Sequence, residues 1–246
     1  MKTPSRPDTL YAQNRPLLEA FRFDAEVAQV FDDMIRRSVP GYPLMLDLLG
    51  VTSCRTVTAN NSLCYDLGCS LGASTLAIRH NIRPADCRII AIDNSADMLE
   101  RCRRVIANDN SPTAVDIRQQ DIIHTAFEPC ALVSMNLTLQ FIELSQRLPL
   151  LTRIADALVE GGILFLSEKL RFDDDFSQHE LTELHHQFKK QQGYSDLEIA
   201  QKRSAIENVL LPETLENHIQ RLQSAGFCHV LPVLQCFNFV SLIAFK

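Results

Sequence analysis

Asp66-Leu67-Gly68-Cys69-Ser70-Leu71-Gly72 joins a short apolar run, Leu63-Cys64-Tyr65-Asp66, to a helical one over about 73–80. Small residues at 68, 70 and 72 let a backbone turn tightly and approach a ligand closely. The loop then enters a helix N-terminus, where unpaired N–H groups favour negative or polar ligand atoms. Turn chemistry alone accounts for many glycine loops. What distinguishes this one is the next strand, Arg88-Ile-Ile-Ala-Ile-Asp93. Its acidic end is placed to accept both hydroxyls of a ribose.

Outward from the loop, helical and strand patterns alternate. Upstream, Val27, Val30, Phe31, Met34 and Ile35 recur at helical spacing and stop at Ser38-Val-Pro-Gly41. A second apolar helix over 44–49 leads into a polar stretch, 52–62. Downstream, a helix opening near Ser95 presents Met98, Cys102, Val105 and Ile106 on one face. Residues 114–118 form a weak third strand and 131–136 a fourth. A helix with Leu148, Leu151, Ile154 and Leu158 on one stripe is expected to stop at Gly161-Gly162, ahead of a fifth strand over 163–167. Such alternation predicts a doubly wound α/β fold with a parallel sheet. Right-handed crossovers then gather the strand ends, and the ligand crevice, on one side. The pattern breaks over 171–208, a charged helical insertion above the sheet. Pro212 opens another helix, with Leu215, Ile219 and Leu222 inward and Gly226 closing it. Two β-rich runs, 229–234 and 237–245, end the chain as a hairpin that adds an antiparallel strand.

The 246 residues, 46% hydrophobic and 22% charged, suit one domain, 21–246, preceded by a mobile arm over 1–20. A net charge of −6 argues against a broad electrostatic grip on nucleic acid. Eight cysteines are scattered without a Cys-x-x-Cys pair, which reads as buried thiols in a reducing compartment and no zinc site. Adjacent His185 and His186 point to different helix faces, so no metal is expected there either. Residues 1–16 lack the apolar core of a signal peptide. No apolar run approaches the roughly 20 residues a membrane span needs. A soluble, cytoplasmic protein is expected.

A dinucleotide fingerprint is spaced Gly-x-Gly-x-x-Gly. The spacing here, Asp-x-Gly-x-Ser-x-Gly, resembles the first motif of Rossmann-like S-adenosylmethionine-dependent methyltransferases, with serine for the middle glycine. Gln120-Asp121-Ile122, Gly161-Gly162 and Leu222-x-x-Ala225-Gly226-Phe227 follow in the matching order. This resemblance implies a Rossmann-like methyltransferase fold: a mostly parallel seven-stranded sheet with an antiparallel C-terminal strand, plus 171–208 as a helical insertion or lid.

Longer stretches are more specific. Asp32-Asp-Met-Ile-Arg-Arg-Ser-Val-Pro-Gly-Tyr42, Asn136-Leu-Thr-Leu-Gln-Phe141, Ser167-Glu-Lys169, Gly193-Tyr-Ser-Asp-Leu-Glu-Ile199 and Gln201-Lys-Arg-Ser204 resemble the carboxy-S-adenosyl-L-methionine synthases, insertion included. The resemblance implies transfer of a carboxyl group from prephenate to the methyl carbon of S-adenosyl-L-methionine, with release of phenylpyruvate. It also implies a partner tRNA carboxymethyltransferase that uses the product to modify the wobble uridine, U34, in tRNA. A sulfonium acidifies its methyl protons, and prephenate can supply both carbon dioxide and a hydroxide-like base. No side-chain base is then required, and an enclosed, preorganised site matters most.

Carried over position by position, the resemblance implies that Gly68, Cys69 and Ser70 cradle the methionine end of the cofactor. Asp93 would hold the ribose and Asn94 the sugar or adenine edge. Asp121 and Ile122 would bracket adenine. Asn136 would face the sulfonium, Tyr42 would close over it, and Arg203 would grip the added carboxylate with a bidentate fork. By residue type alone the same positions read differently: Asn94 as a helix cap, Asp121 as an exposed loop acid, Asn136 as a turn former, Tyr42 as a packed aromatic, Arg203 as a solvated surface residue. Leu181, Leu184 and Phe188 fit a homodimer interface or burial within one chain. An ordinary methyltransferase acting on a small molecule or RNA, and a non-catalytic cofactor-binding scaffold, are the competing functions.

Overall fold

Strands that read as continuous apolar runs must be covered on both faces. The computed structural model, which describes residues 6–13, 21–58, 63–82, 87–206 and 209–246, covers them with helices. The strands are β1 (Leu63–Leu67), β2 (Arg88–Asp93), β3 (Ala114–Gln119), β4 (Cys130–Asn136), β5 (Leu158–Lys169), β6 (His229–Cys236) and β7 (Phe239–Phe245). They form one sheet in the order β3-β2-β1-β4-β5-β7-β6. β1 to β5 are parallel, and β7 inserts antiparallel between β5 and β6. This is the mostly parallel, seven-stranded Rossmann-like sheet that the sequence predicts.

The helices are α1 (Ala25–Ser38), α2 (Tyr42–Thr56), α3 (Ala73–Arg79), α4 (Ala96–Ala107), α5 (Leu144–Ala157), α6 (Asp175–Gln191), α7 (Asp196–Ile206) and α8 (Leu215–Ser224). Tyr65, Leu67, Ile90, Val133 and Leu164 pack on one side of the sheet with Leu150 and Ile154 of α5 and Leu222 of α8. Cys64, Ile89, Leu132 and Phe165 pack on the other with Leu49 of α2 and Ile78 of α3. Each fully buried leucine or isoleucine stabilises by about 1.5–3 kcal/mol. With the parallel strands aligned, the loops after β1, β2, β3 and β4 meet at one edge.

Several boundaries differ from the expectation, each for a local reason. α2 runs on into the polar stretch because Thr52 and Ser53 donate their hydroxyls to the carbonyls of Leu48 and Leu49, satisfying them within the helix. α5 ends at Ala157, and Gly161-Gly162 lie inside β5 rather than at a helix stop. There the register to β4 jumps from Cys130↔Leu158 to Leu132↔Ile163, and Gly161 takes φ +75°. The glycines serve a bulge. Leu148 is 40% exposed, the inward stripe of α5 being Arg147, Leu150, Leu151 and Ile154. Val105 likewise faces out from α4. α8 starts at Leu215 behind a Thr214 cap, and His218 is buried on it. Phe237 sits at φ +51° in the β6–β7 turn, so the last strand begins only at Phe239.

Of the N-terminal arm, residues 1–5 and 14–20 lie outside the described residues. Within 6–13 the chain is docked. Asp8, 2% exposed, takes the Tyr194 hydroxyl at 2.5 Å, and its N–H donates to Asp33 at 2.7 Å. Gln201 of α7 donates to the carbonyls of Tyr11 and Gln13, both at 3.0 Å. α7 is therefore clamped between this segment and the chain just ahead of α1, where Phe21 N–H meets the Ala205 carbonyl at 3.0 Å.

Below the insertion, Arg147 is wholly buried. It pairs with Glu213, which also pairs with Arg221, and it donates to the carbonyls of Ile142, Gln140 and Leu211. Removing one partner of such a network leaves the other charge and several carbonyls stranded. Arg147→Leu should therefore cost about 3–5 kcal/mol of stability, measured as a fall in the urea midpoint. A loss below about 1 kcal/mol would mean that the network relaxes freely.

Candidate functional site

The glycine loop is fastened to the end of the neighbouring strand. Gly68 and Cys69 both donate their backbone N–H to the Ile92 carbonyl, at 2.8 and 2.9 Å. Ser70 donates its N–H to one Asp93 oxygen at 2.9 Å, and Ser95 donates to the other at 2.9 Å. Gly68, Ser70 and Gly72 all take positive φ, +76°, +49° and +88°. A Cβ on Gly68 would lie 2.3 Å from the Thr138 hydroxyl, so glycine is required there by space as well as by conformation. Asp93 is half-buried, and burial pushes its carboxyl up, while the N–H groups of Ser95, Ser70 and Asn94 pull it back. Both oxygens are thereby aimed, each with a lone pair left for a further donor.

Cys69 is buried. Its thiol lies in one buried cluster with Cys102, and that neighbour and burial push it far above the usual thiol range. No thiolate is available for nucleophilic attack.

The loop after β4 forms the facing wall. Asn136 donates its amide to the Ser74 hydroxyl in the first turn of α3, at 2.7 Å, which leaves its buried Oδ1 without a partner. Leu137 then takes φ +58°, and its N–H donates to the Ser167 carbonyl at 2.7 Å. Thr138 reaches back to the Leu67 carbonyl at 3.1 Å. Beneath it lies Glu168, fully buried, with one oxygen accepting the Leu139 N–H at 2.9 Å and the other unpaired. Burial pushes this carboxyl up to about 8, against the pull of Arg147 and the N–H groups of Leu139, Gln140 and Thr138. Unpaired buried polar atoms and positive-φ non-glycine residues concentrate at functional sites, and both occur on this wall.

The remaining predicted residues occupy the rim. Asn94 is exposed, and the cap of α4 is Ser95, whose hydroxyl accepts the Met98 N–H at 3.2 Å. Asn94 therefore keeps its side chain free of capping duty. Asp121 is exposed and caps the single turn Ile122–His124, accepting the Ile123 N–H at 2.9 Å. Ile122 is buried beside it. Tyr42, the first residue of α2, is buried and packed with Phe239, Met45 and Leu137. Burial holds its phenol well above the usual range, so it stays protonated. Arg203 is exposed on α7. It lies near enough to Lys169, Lys189 and His186 to lower the proton affinity of all three.

Sequence reading passed over three residues of the site. Asp66 ends β1 fully buried, accepts the Thr75 hydroxyl at 2.6 Å, and is pushed up to about 7 by burial and by the Asp93 charge. It opens the glycine motif, which is the signal that marks it. Ser74 carries no such mark, and Glu168, though it lies in the Ser167-Glu-Lys169 stretch, shows no role there, because each matters only through a partner distant in sequence. The arrangement fits an adenosyl sulfonium ligand. It offers a preset carboxylate, that of Asp93, at one end and an unsatisfied buried amide oxygen, that of Asn136, at the other. Among the described residues no group of three or more His, Cys, Asp or Glu gathers as a metal site, and no helix is long and apolar enough to cross a membrane.

Comparison with known proteins agrees with this geometry. Residues 64–162 match the family model of a methyltransferase domain. Over 239 residues the chain is 54% identical to the carboxy-S-adenosyl-L-methionine synthase of Marinobacter nauticus, covering 97% of this chain and 95% of that protein. The synthase of Hahella chejuensis is 53% identical over 244 residues, with 97% and 98% covered. Among solved structures, human N-acetylserotonin methyltransferase in complex with SAM superposes with a TM-score of 0.61 at 17% identity, over 90% of this chain and 55% of that one. A structure from Methanococcus maripaludis, described as a candidate S-adenosyl-L-methionine-dependent methyltransferase, gives 0.61 at 20% identity, over 95% and 96%. At such identities the structural likeness speaks for the fold alone.

The wall behind Asn136 has a titration signature. Glu168 keeps its proton in the folded chain up to about pH 8, whereas the unfolded chain loses it near 4.5. The stability tied to that proton is fully present below about pH 4.5 and is lost as pH rises through about 8. Glu168→Gln keeps an oxygen for the Leu139 N–H and should flatten the fall of Tm across that interval, with Asp66 supplying the residual slope. An unchanged slope would show that Glu168 titrates like an ordinary carboxyl.

Proposed function

This chain belongs to the family of the carboxy-S-adenosyl-L-methionine synthases, and we propose that it transfers a carboxyl group from prephenate to the methyl carbon of S-adenosyl-L-methionine, giving the carboxylated sulfonium and phenylpyruvate. One observation carries this reading beyond ordinary methyl transfer. Arg203 has no acidic partner among the described residues and stands by Lys169, two residues past Ser167 on β5. Ser167 is the register partner of Asn136. A methyl donor offers no anion at that end of the crevice, whereas a carboxylated one does.

In this reading the chain binds, orients and excludes water. Asp93, aimed by Ser70 and Ser95, takes the ribose hydroxyls, and Asn94 borders the sugar. Asp121 and Ile122 flank adenine. Gly68, Cys69 and Ser70 hold the methionine end. Asn136 turns its unpaired Oδ1 toward the positive sulfur, and the protonated Tyr42 closes the pocket. Arg203 pairs with the carboxylate in a planar fork. When bound, the sulfonium supplies an acidified methyl group, and prephenate supplies the carbon dioxide and the base. The enzyme's part is a dry, preorganised enclosure. Residues 171–208 act as its lid.

The same reading makes the enzyme cytoplasmic. Its product goes to a tRNA carboxymethyltransferase for the 5-oxyacetyl modification of wobble uridine U34, and it makes no stable nucleic-acid contact of its own. A homodimer is supported by apolar side chains left exposed on α6, Phe176 and Leu184.

The test is mass spectrometry of the protein turning over S-adenosylmethionine with prephenate. The expected product is heavier than S-adenosylmethionine by one carbon dioxide. Accumulation of S-adenosylhomocysteine would favour methyl transfer instead, and unchanged bound S-adenosylmethionine a scaffold. Arg203→Ala should leave S-adenosylmethionine affinity within about twofold and weaken retention of the carboxylated product by about tenfold or more. Equal loss of both ligands would remove Arg203 from that role.

A further inference from the structure

A group of cations converges where α6 and α7 meet the end of β5. Ser38 ties the two helices together: its carbonyl is bonded by His185 Nε2 of α6 at 2.7 Å, and its hydroxyl by Lys202 Nζ of α7 at 2.9 Å. Lys189 follows His185 by one helical turn and so shares its face. That face looks onto β7, where the His185 ring meets Phe239 edge-on, 5.2 Å between centroids. Phe239 is the register partner of Lys169, the last residue of β5. Arg203 follows Lys202 on α7. Lys169, Lys189 and Arg203 thus reach one place from three elements.

Their neighbours are neutralised and they are not. Lys190 pairs with Asp196 at 2.6 Å, Arg37 with Asp33 at 3.1 Å, and Lys202 lies 3.9 Å from buried Asp8. Among the described residues no carboxylate pairs with Lys169, Lys189 or Arg203. Both lysines are partly buried. Burial and the surrounding positive charges lower Lys189 to about 7, and burial with Arg203 lowers Lys169. His185 contributes no charge, since burial foremost holds its ring neutral. Gathering desolvated like charges without a counter-ion destabilises a fold. Such an arrangement fits an anionic ligand that supplies the missing charge.

We propose that Lys169 and Lys189, together with Arg203, form the receptor for the second substrate, an organic dianion whose two carboxylates are joined to an apolar ring. The two lysines bind the carboxylates and Phe239 with the neutral His185 ring walls the apolar part. The place follows from connectivity. Phe239 also packs with Tyr42 and Leu137, directly after Asn136, so the receptor adjoins the reacting end of the crevice. This assignment rests on the reading of prephenate as carboxyl donor and adds the residues that select it.

The experiment titrates benzylmalonate, an unreactive ring-bearing dicarboxylate, into the full chain loaded with S-adenosylmethionine. Lys169→Met and Lys189→Met should each weaken it by about tenfold or more, with S-adenosylmethionine affinity held within about twofold. Lys169→Arg, which keeps the charge, should recover most of the loss. The methionine variants should also melt higher than the parent chain when ligand-free, because a desolvated charge has been removed. Dicarboxylate affinity unchanged in both variants, a parent chain that does not bind benzylmalonate, or a parallel loss of S-adenosylmethionine would each overturn the assignment, as would a lowered Tm. A parent chain that binds benzylmalonate through these lysines yet forms no carboxylated product from prephenate would sustain the receptor and sink the proposed reaction.

Discussion

Three backbone donors on the loop after β1, those of Gly68, Cys69 and Ser70, are spent on the end of β2, and the crevice depends on that clasp. It holds positive-φ conformations at three alternate positions, Gly68, Ser70 and Gly72, of which that of Ser70 would not persist without surrounding bonds. The constraint propagates outward. α3 begins at Gly72, and its first turn offers Ser74 to Asn136 at the end of β4. Thr138 binds back to β1, while Leu137 and Leu139 are held by Ser167 and Glu168 of β5. Four adjacent strand ends are thus linked by hydrogen bonds into one rim.

Charge is sorted along that rim. The half at the ends of β2 and β1 carries Asp93 and the buried Asp66. The far half, beyond Asn136, carries Lys169, Lys189 and Arg203. Asp66 and Glu168 both have raised proton affinity through burial, so the floor is less negative than its composition implies. In the proposed reading a positively charged sulfur would meet polar oxygen on one side, and an anion would meet the cations on the other. The net charge of −6 conceals this separation, because most acids lie elsewhere on the surface.

Much of the fold was legible because apolar periodicity is enforced by burial. The core of every central strand was located from the sequence, and so was the Ser95 start of α4. Misreadings fell where a residue's local meaning was overruled by its neighbours. Gly161-Gly162 suits a helix stop, yet the register of β4 against β5 makes it a bulge. Thr52 and Ser53 suit a linker, yet their hydroxyls close on carbonyls of the same helix.

The sequence by itself determined the class of chemistry. Asp66 to Gly72 and the acid at 93 are close enough in the chain that their strand–loop–helix geometry follows from backbone sterics and spacing. It also determined which positions resemble the family's site. Only the tertiary structure decided that Asn94 is relieved of capping by Ser95, that Cys69 is masked by Cys102, and that Glu168 carries the loop behind Asn136. Only it brought Lys169, Lys189 and Arg203 together with no carboxylate paired to them among the described residues. The physical reason is range. Turn formation and periodicity act over a few residues and can be read along a line, whereas the proton affinity and pairing of a buried charge depend on groups that only folding brings near.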